Sequence, residues 1–181
     1  ERAGQAEQAT KYLTQAGEQA AARFANAEAI AYLSRALKLT PSSDQAGRYA
    51  LLLAREKVYD LQGARESQAK DLAALKELAE LLDDDRPAEA SLRQAAYAEA
   101  VGDYPAAIAA AQAAIDLARA AQDARGEVLG YMRWGHALWR QGEYKGAKVQ
   151  LEQALRTFHE MGDRRGESQV LNRLGNVCRE Q

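Results

Sequence analysis

One short pattern recurs at a fixed interval and limits what this chain can fold into. Gly102, Asp103, Tyr104 and Ala107 return as Gly142, Glu143, Tyr144 and Ala147, 40 residues later. Asp123, Gly126 and Glu127 return as Asp163, Gly166 and Glu167 at the same interval, and Gly135 returns as Gly175. The stretch from Tyr131 to Tyr144 carries the pattern most completely. A period of this length is the mark of a solenoid, in which each unit buries its apolar face only against its neighbours. Such an architecture favours binding over chemistry.

The 181 residues carry a formal net charge of −2. That balance argues against nucleic acid or an anionic membrane as partner, both of which favour a basic face. A single cysteine, Cys178, rules out an internal disulfide and fits a reducing, cytoplasmic setting. No run of 18 or more apolar residues predicts a membrane span, and the N-terminus lacks the basic and apolar blocks of a signal peptide. The chain begins at Glu1 rather than Met, and its last repeat stops before a second helix. It therefore reads as a segment of a larger protein.

Alanine is abundant, the three prolines are Pro41, Pro87 and Pro105, and no alternating strand pattern occurs. Alanine has the best helix propensity, and its small side chain lets helices approach closely. The pattern predicts nine helices, over about 5–23, 27–40, 44–62, 65–82, 87–101, 104–121, 125–141, 144–160 and 165–180. Gly102 and Gly142 suit the left-handed residue that ends a helix. Asp123 and Asp163 suit N-caps. The run Asp83-Asp84-Asp85 before Arg86-Pro87 reads as a capped loop rather than a calcium site.

These residues resemble the tetratricopeptide repeat, a pair of antiparallel helices with small residues at set positions and a glycine–aromatic turn. The best unit, 128–167, supplies Tyr131, Trp134, Gly135, Gly142, Tyr144, Ala147, Leu151 and Ala154. The unit over 88–127 supplies Gly102, Tyr104, Ala107, Ala111 and Ala114, with Ala95 at the expected glycine. The N-terminal unit, 1–43, supplies Leu13, Gly17, Ala29, Leu33 and Ala36. Residues 44–87 form a divergent repeat, and 168–181 supply the first helix of a further one, with Leu171, Leu174 and Gly175. The resemblance implies one all-α array over 1–181, a right-handed superhelix. Gly135 and Gly175, with Ala107 and Ala147, are expected to bring helices close together. Tyr104, Trp134 and Tyr144 are expected to fill the gaps between them. The long period is similar to arrays attached to bacterial signal-transduction ATPases, maltose-regulator-type activators and ATPase-linked nucleotide cyclases.

In that architecture the first helix of each pair lines the concave wall. The inward positions are Leu129, Met132, His136, Trp139 and Arg140, then Gln169, Asn172, Asn176, Arg179 and Glu180. Upstream they are Glu89, Leu92 and Glu99, and Leu53, Lys57 and Asp60. Trp139 and Arg140 read either as an interface anchor or as a packing residue beside a solvated charge. Met132 would add an adaptable apolar contact. Asn172 and Asn176 read either as amides for a ligand backbone or as exposed side chains. Arg133 and Arg173 share one repeat position; with Arg140 and Arg179 they make a basic strip for an acidic peptide, unless Glu127, Glu167 and Glu180 compensate it.

No phosphate loop, metal-ligand spacing or serine-nucleophile motif occurs. His136 and His159 fall on different helices, and Cys178 sits at the repeat position of Leu138, which suits packing. The expected function is binding of a protein or peptide within a larger bacterial signalling protein, without cofactor, metal or enzymatic activity. The alternatives are a sensor that holds a sugar or metabolite inside the superhelix, or a spacer that oligomerises through exposed end helices.

Overall fold

Six of the turns between consecutive helices close with the same hydrogen bond, whichever residue makes it. The computed structural model describes residues 2–82 and 84–180, with side chains from Glu7 onward. Among them are nine helices and no strand: α1 (Arg2–Ala22), α2 (Asn26–Leu39), α3 (Gln45–Gln62), α4 (Arg65–Ala79), α5 (Arg86–Val101), α6 (Tyr104–Ala120), α7 (Ala124–Arg140), α8 (Tyr144–Glu160) and α9 (Arg164–Arg179). After α7, Gly142 turns left-handed (φ 84°) and Glu143 N–H donates to Leu138 O at 2.9 Å. After α5, Gly102 (φ 81°) is followed by Asp103 N–H to Ala98 O at 2.9 Å. This six-to-one bond satisfies a carbonyl that the helix end leaves free. Phe24 and Gln122 occupy the same left-handed position without being glycine (φ 59° and 56°). Their turns close alike, Ala25 N–H to Ala20 O at 2.9 Å and Asp123 N–H to Ala118 O at 2.8 Å.

Aspartates open the helices that follow. Asp44, Asp103, Asp123 and Asp163 each accept from a backbone N–H in the next turn, at 2.9–3.0 Å. The expected caps at Asp123 and Asp163 are thus in place. Ahead of α5 the capping oxygen belongs to Asp84, which accepts from Arg86 N–H at 2.9 Å, while Asp85 makes no cap bond. Asp83, the first acid of that run, lies outside the described residues. The fourth helix ends at Ala79, not 82, because Leu81 and Leu82 bond back only three residues and tighten into a turn.

The chain divides into two compact units, Glu1–Asp83 and Asp84–Gln181. In the first, Ala20, Ala29, Leu33, Ala36, Leu51 and Val58 form the core. Arg55 of α3 ties α4 to α2: its guanidinium grips Asp71 through two bonds of 2.8 and 2.6 Å and donates to Ser34 at 2.8 Å. In the second unit Ile115, Val128, Tyr131, Met132, Leu151, Phe158, Val170 and Val177 form the main core. Trp134 and Tyr144 pack against it as expected.

Close approach within a helix pair depends on one position in each helix. A Cβ placed on Gly135 would lie 2.8 Å from Leu151 Cγ and 3.2 Å from Ala147 O. Gly17 meets Leu33 Cγ at 2.8 Å in the same way, with Ala29 O at 3.5 Å. Ala95 and Ala107 hold the corresponding places in the α5–α6 pair, both fully buried. Gly175 departs from the expectation: a Cβ there meets nothing within 4 Å, because no described helix packs on that side of α9. Cys178 is exposed for the same reason and does not pack like Leu138.

Candidate functional site

The second unit sets the first helices of its pairs, α5, α7 and α9, side by side. Their facing residues bring together four charged or ionisable groups. Glu99 of α5 sends Oε2 to Nδ1 of His136 at 3.0 Å, and Arg133 Nη1 donates to the same oxygen at 3.4 Å. Its carboxylate is 9% exposed, and Oε1 is buried with no hydrogen-bond partner. From α9, Arg173 enters the same neighbourhood. Burial lowers its guanidinium below the usual range, the charge of Arg133 acts the same way, and Glu99 opposes both. Arg173 forms no ion pair or hydrogen bond with any described residue.

Beside this cluster lies a cavity of about 200 Å³, lined by His136, Trp139, Leu151, Arg173, Asn176 and Val177. The rings of His136 and Trp139 lie 5.5 Å apart and tilted by 38°. Leu151 and Val177 are each 1% exposed and belong to the core. Trp139 is half-buried and packs on that core, so its ring is both a packing element and a cavity wall. Asn176 accepts from Arg179 at 2.8 Å through its oxygen, which leaves its amide hydrogens available.

The remaining expected residues divide. Met132 is 6% exposed and part of the core, so it offers no contact to a ligand. The helix carrying it packs against α5, α6, α8 and α9, which leaves few free flanks. Arg140 stacks over the Tyr104 ring, 5.6 Å from its centre, and so leaves the basic strip. Asn172 is exposed and does not line the cavity. Two of the three acids expected to neutralise the strip do other work. Glu127 takes Arg119 at 2.8 Å, and Glu167 takes His159 at 3.2 Å. The acid that does compensate is Glu99, whose role the sequence concealed because it stands 37 residues from His136.

No helix among the described residues is long and apolar enough to cross a membrane. No family model matches the chain, and no curated protein matches it. Solved structures do. The apo form of RapI superposes with a TM-score of 0.80 at 10% identity, over 92% of this chain and 67% of RapI. A Rap protein solved in complex with competence and sporulation factor gives 0.77 at 18%, over 93% of this chain. The chain spans 48% of that protein's length. BtubC from P. vanneervenii gives 0.77 at 13%, over 98% of this chain and 82% of BtubC. Similarity at these identities speaks to fold, and the fold is that of a tetratricopeptide-like helical repeat protein.

Proposed function

We propose that this chain is a protein- or peptide-recognition module and that α5, α7 and α9 of its second unit present the contact surface. The observation that carries the reading is Arg173. It is a partly desolvated guanidinium without an anionic partner, set beside Arg133 and the Trp139 ring. A cation withdrawn from water favours an anion that restores its hydrogen bonds. An exposed edge of tryptophan beside arginine is the composition of interface anchors. The Rap protein solved with competence and sporulation factor shares this fold and takes a partner of its own. We further assign the chain to a cytoplasmic regulatory or sensor segment of a larger bacterial signalling protein, on its likeness to the arrays of signal-transduction ATPases, maltose-regulator-type activators and nucleotide cyclases.

The test is selection of binders from a random dodecapeptide library, followed by calorimetry. Selected peptides should bind the wild type saturably and lose about tenfold or more with Trp139→Ala and Asn176→Ala combined. Unchanged affinity in that double variant would refute the site.

A further inference from the structure

We propose that a second cavity, on the α6 side of α7, receives an arginine side chain borne on a peptide segment of a partner protein. It is separate from the recognition surface of α5, α7 and α9 and does not depend on it. The cavity measures about 270 Å³ and is lined by Gln112, Ile115, Asp116, Arg119, Tyr131 and Trp134. That is below the roughly 300–1,000 Å³ of sites that enclose drug-sized ligands. It suits one long side chain. Helical spacing makes the lining. Gln112, Asp116 and Arg119 share one face of α6, and Tyr131 and Trp134 share one face of α7.

Charge calls for a cation. Arg119 is the cation already in place, and it is occupied: Nε donates to Glu127 at 2.8 Å, and a further N–H donates to the Tyr131 hydroxyl. Asp116 lies 4.0 Å from Arg119 Nη1, too far for a hydrogen bond, and its side chain is 80% exposed. The wall thus sets two carboxylates, Asp116 and Glu127, against one guanidinium, which attracts a cation. Forty residues on, Arg156 stands at the place of Asp116, and Leu171 and Leu174 at those of Tyr131 and Trp134. Neither the acid nor the rings therefore follow from the repeat frame alone. Shape chooses among cations. A planar guanidinium lies against an aromatic ring while its fork holds a carboxylate. Tyr131 already has Arg119 over its ring, 5.8 Å from the centre, which leaves Trp134. Trp134 is half-buried, and its indole N–H bonds to no described residue. Gln112 is exposed and likewise unbonded, so its amide is available to the peptide backbone that carries the arginine.

The test follows both indole ¹H–¹⁵N resonances during titration with acetyl-Gly-Arg-Gly-amide, its citrulline and lysine counterparts, and free arginine. The arginine peptide should move Trp134 saturably and leave Trp139 in place. It should bind about tenfold tighter than the citrulline peptide, which keeps the shape without the charge. The lysine peptide and free arginine should also bind more weakly. Asp116→Asn should abolish the preference for arginine over citrulline, with circular dichroism confirming that the variant is folded, and Arg173→Gln should leave that preference intact. No saturable movement of Trp134, a citrulline or lysine peptide as tight as the arginine peptide, or indifference to Asp116→Asn would overturn the proposal. Free arginine binding as tightly as the peptide would overturn it too, by putting a metabolite in place of a partner protein. Peptides that lose affinity with Trp139→Ala and Asn176→Ala address the other surface, so either reading can fail alone.

Discussion

Glu56 and Gln68 face each other across the α3–α4 pair, fully buried and joined by a 2.7 Å hydrogen bond from Gln68 Nε2 to Glu56 Oε1. In the other pairs these two places hold Gly17 and Ala29, Ala95 and Ala107, and Gly135 and Ala147. One polar pair thus replaces a contact between small residues, and Arg65 extends it by donating to Gln68. That exchange accounts for the poor match of residues 44–87 to the repeat pattern. The helical hairpin persists because the side chains still satisfy each other.

Removing one partner should therefore cost far more than removing both would suggest. Glu56→Ala leaves a buried amide without its acceptor and a void beside it, and should destabilise by about 2–4 kcal/mol. Glu56→Ala with Gln68→Ala recreates the Ala95–Ala107 pairing. The double variant should fall short of the summed single costs by roughly 0.5–3 kcal/mol. Denaturant unfolding of the four proteins measures this; strict additivity would show that the pair does not act as a unit.

Phe24 adopts the left-handed conformation (φ 59°) while its side chain is 78% exposed. A non-glycine residue there costs on the order of 1–2 kcal/mol, and little packing offsets it. Phe24→Gly should raise stability by up to about 1 kcal/mol, seen as an increase of a few degrees in Tm. A lower Tm would mean that the ring makes contacts worth more than the strain.

The same substitution should have opposite signs at two equivalent positions. Gly135→Ala drives a methyl against Leu151 and the Ala147 carbonyl, and should cost about 1–3 kcal/mol. Gly175→Ala enters open space within a helix and should gain about 0.5–1 kcal/mol from propensity alone. Thermal unfolding of the two variants reads both signs. A loss at Gly175 would mean that something covers that face in solution.

Asp163 titrates below the usual carboxylate range, chiefly because it accepts from Gly166 N–H and then from the Arg125 side chain. A depressed folded-state pKa gives stability that is present above the unfolded value, about 3.9. That stability is lost as pH falls through the folded value. Asparagine caps helices comparably. Asp163→Asn should therefore match the wild type near neutrality and lose less stability on acidification. Carboxyl carbon titration by NMR should also show Asp163 moving upward in Arg125→Ala. Identical acid profiles for Asp163→Asn and wild type would contradict this.

The period of Gly102, Tyr104, Gly142 and Tyr144 made the helix pairs legible, since small residues and turn formers act locally. Turn closure at Phe24 and Gln122 was not legible, because neither residue prefers the conformation that the flanking helices impose. The site was readable in part. Repeat register placed His136, Trp139, Arg173 and Asn176 on one wall. It did not reveal that Met132 is covered or that Arg140 leans on Tyr104, since both depend on neighbouring helices. Glu99 appeared only as an inward position; its grip on His136 and Arg133 is a contact between repeats, which a one-dimensional pattern does not encode.

The recognition surface is tested most directly at the Trp139 indole. Its ¹H–¹⁵N resonance, with that of Trp134 as internal reference, can be followed while a library-selected peptide is added. Saturable movement of Trp139 at one-to-one stoichiometry, with Trp134 changing much less and the effect lost on Arg173→Gln, is the predicted result. A peptide that binds while leaving the Trp139 resonance in place would contradict it.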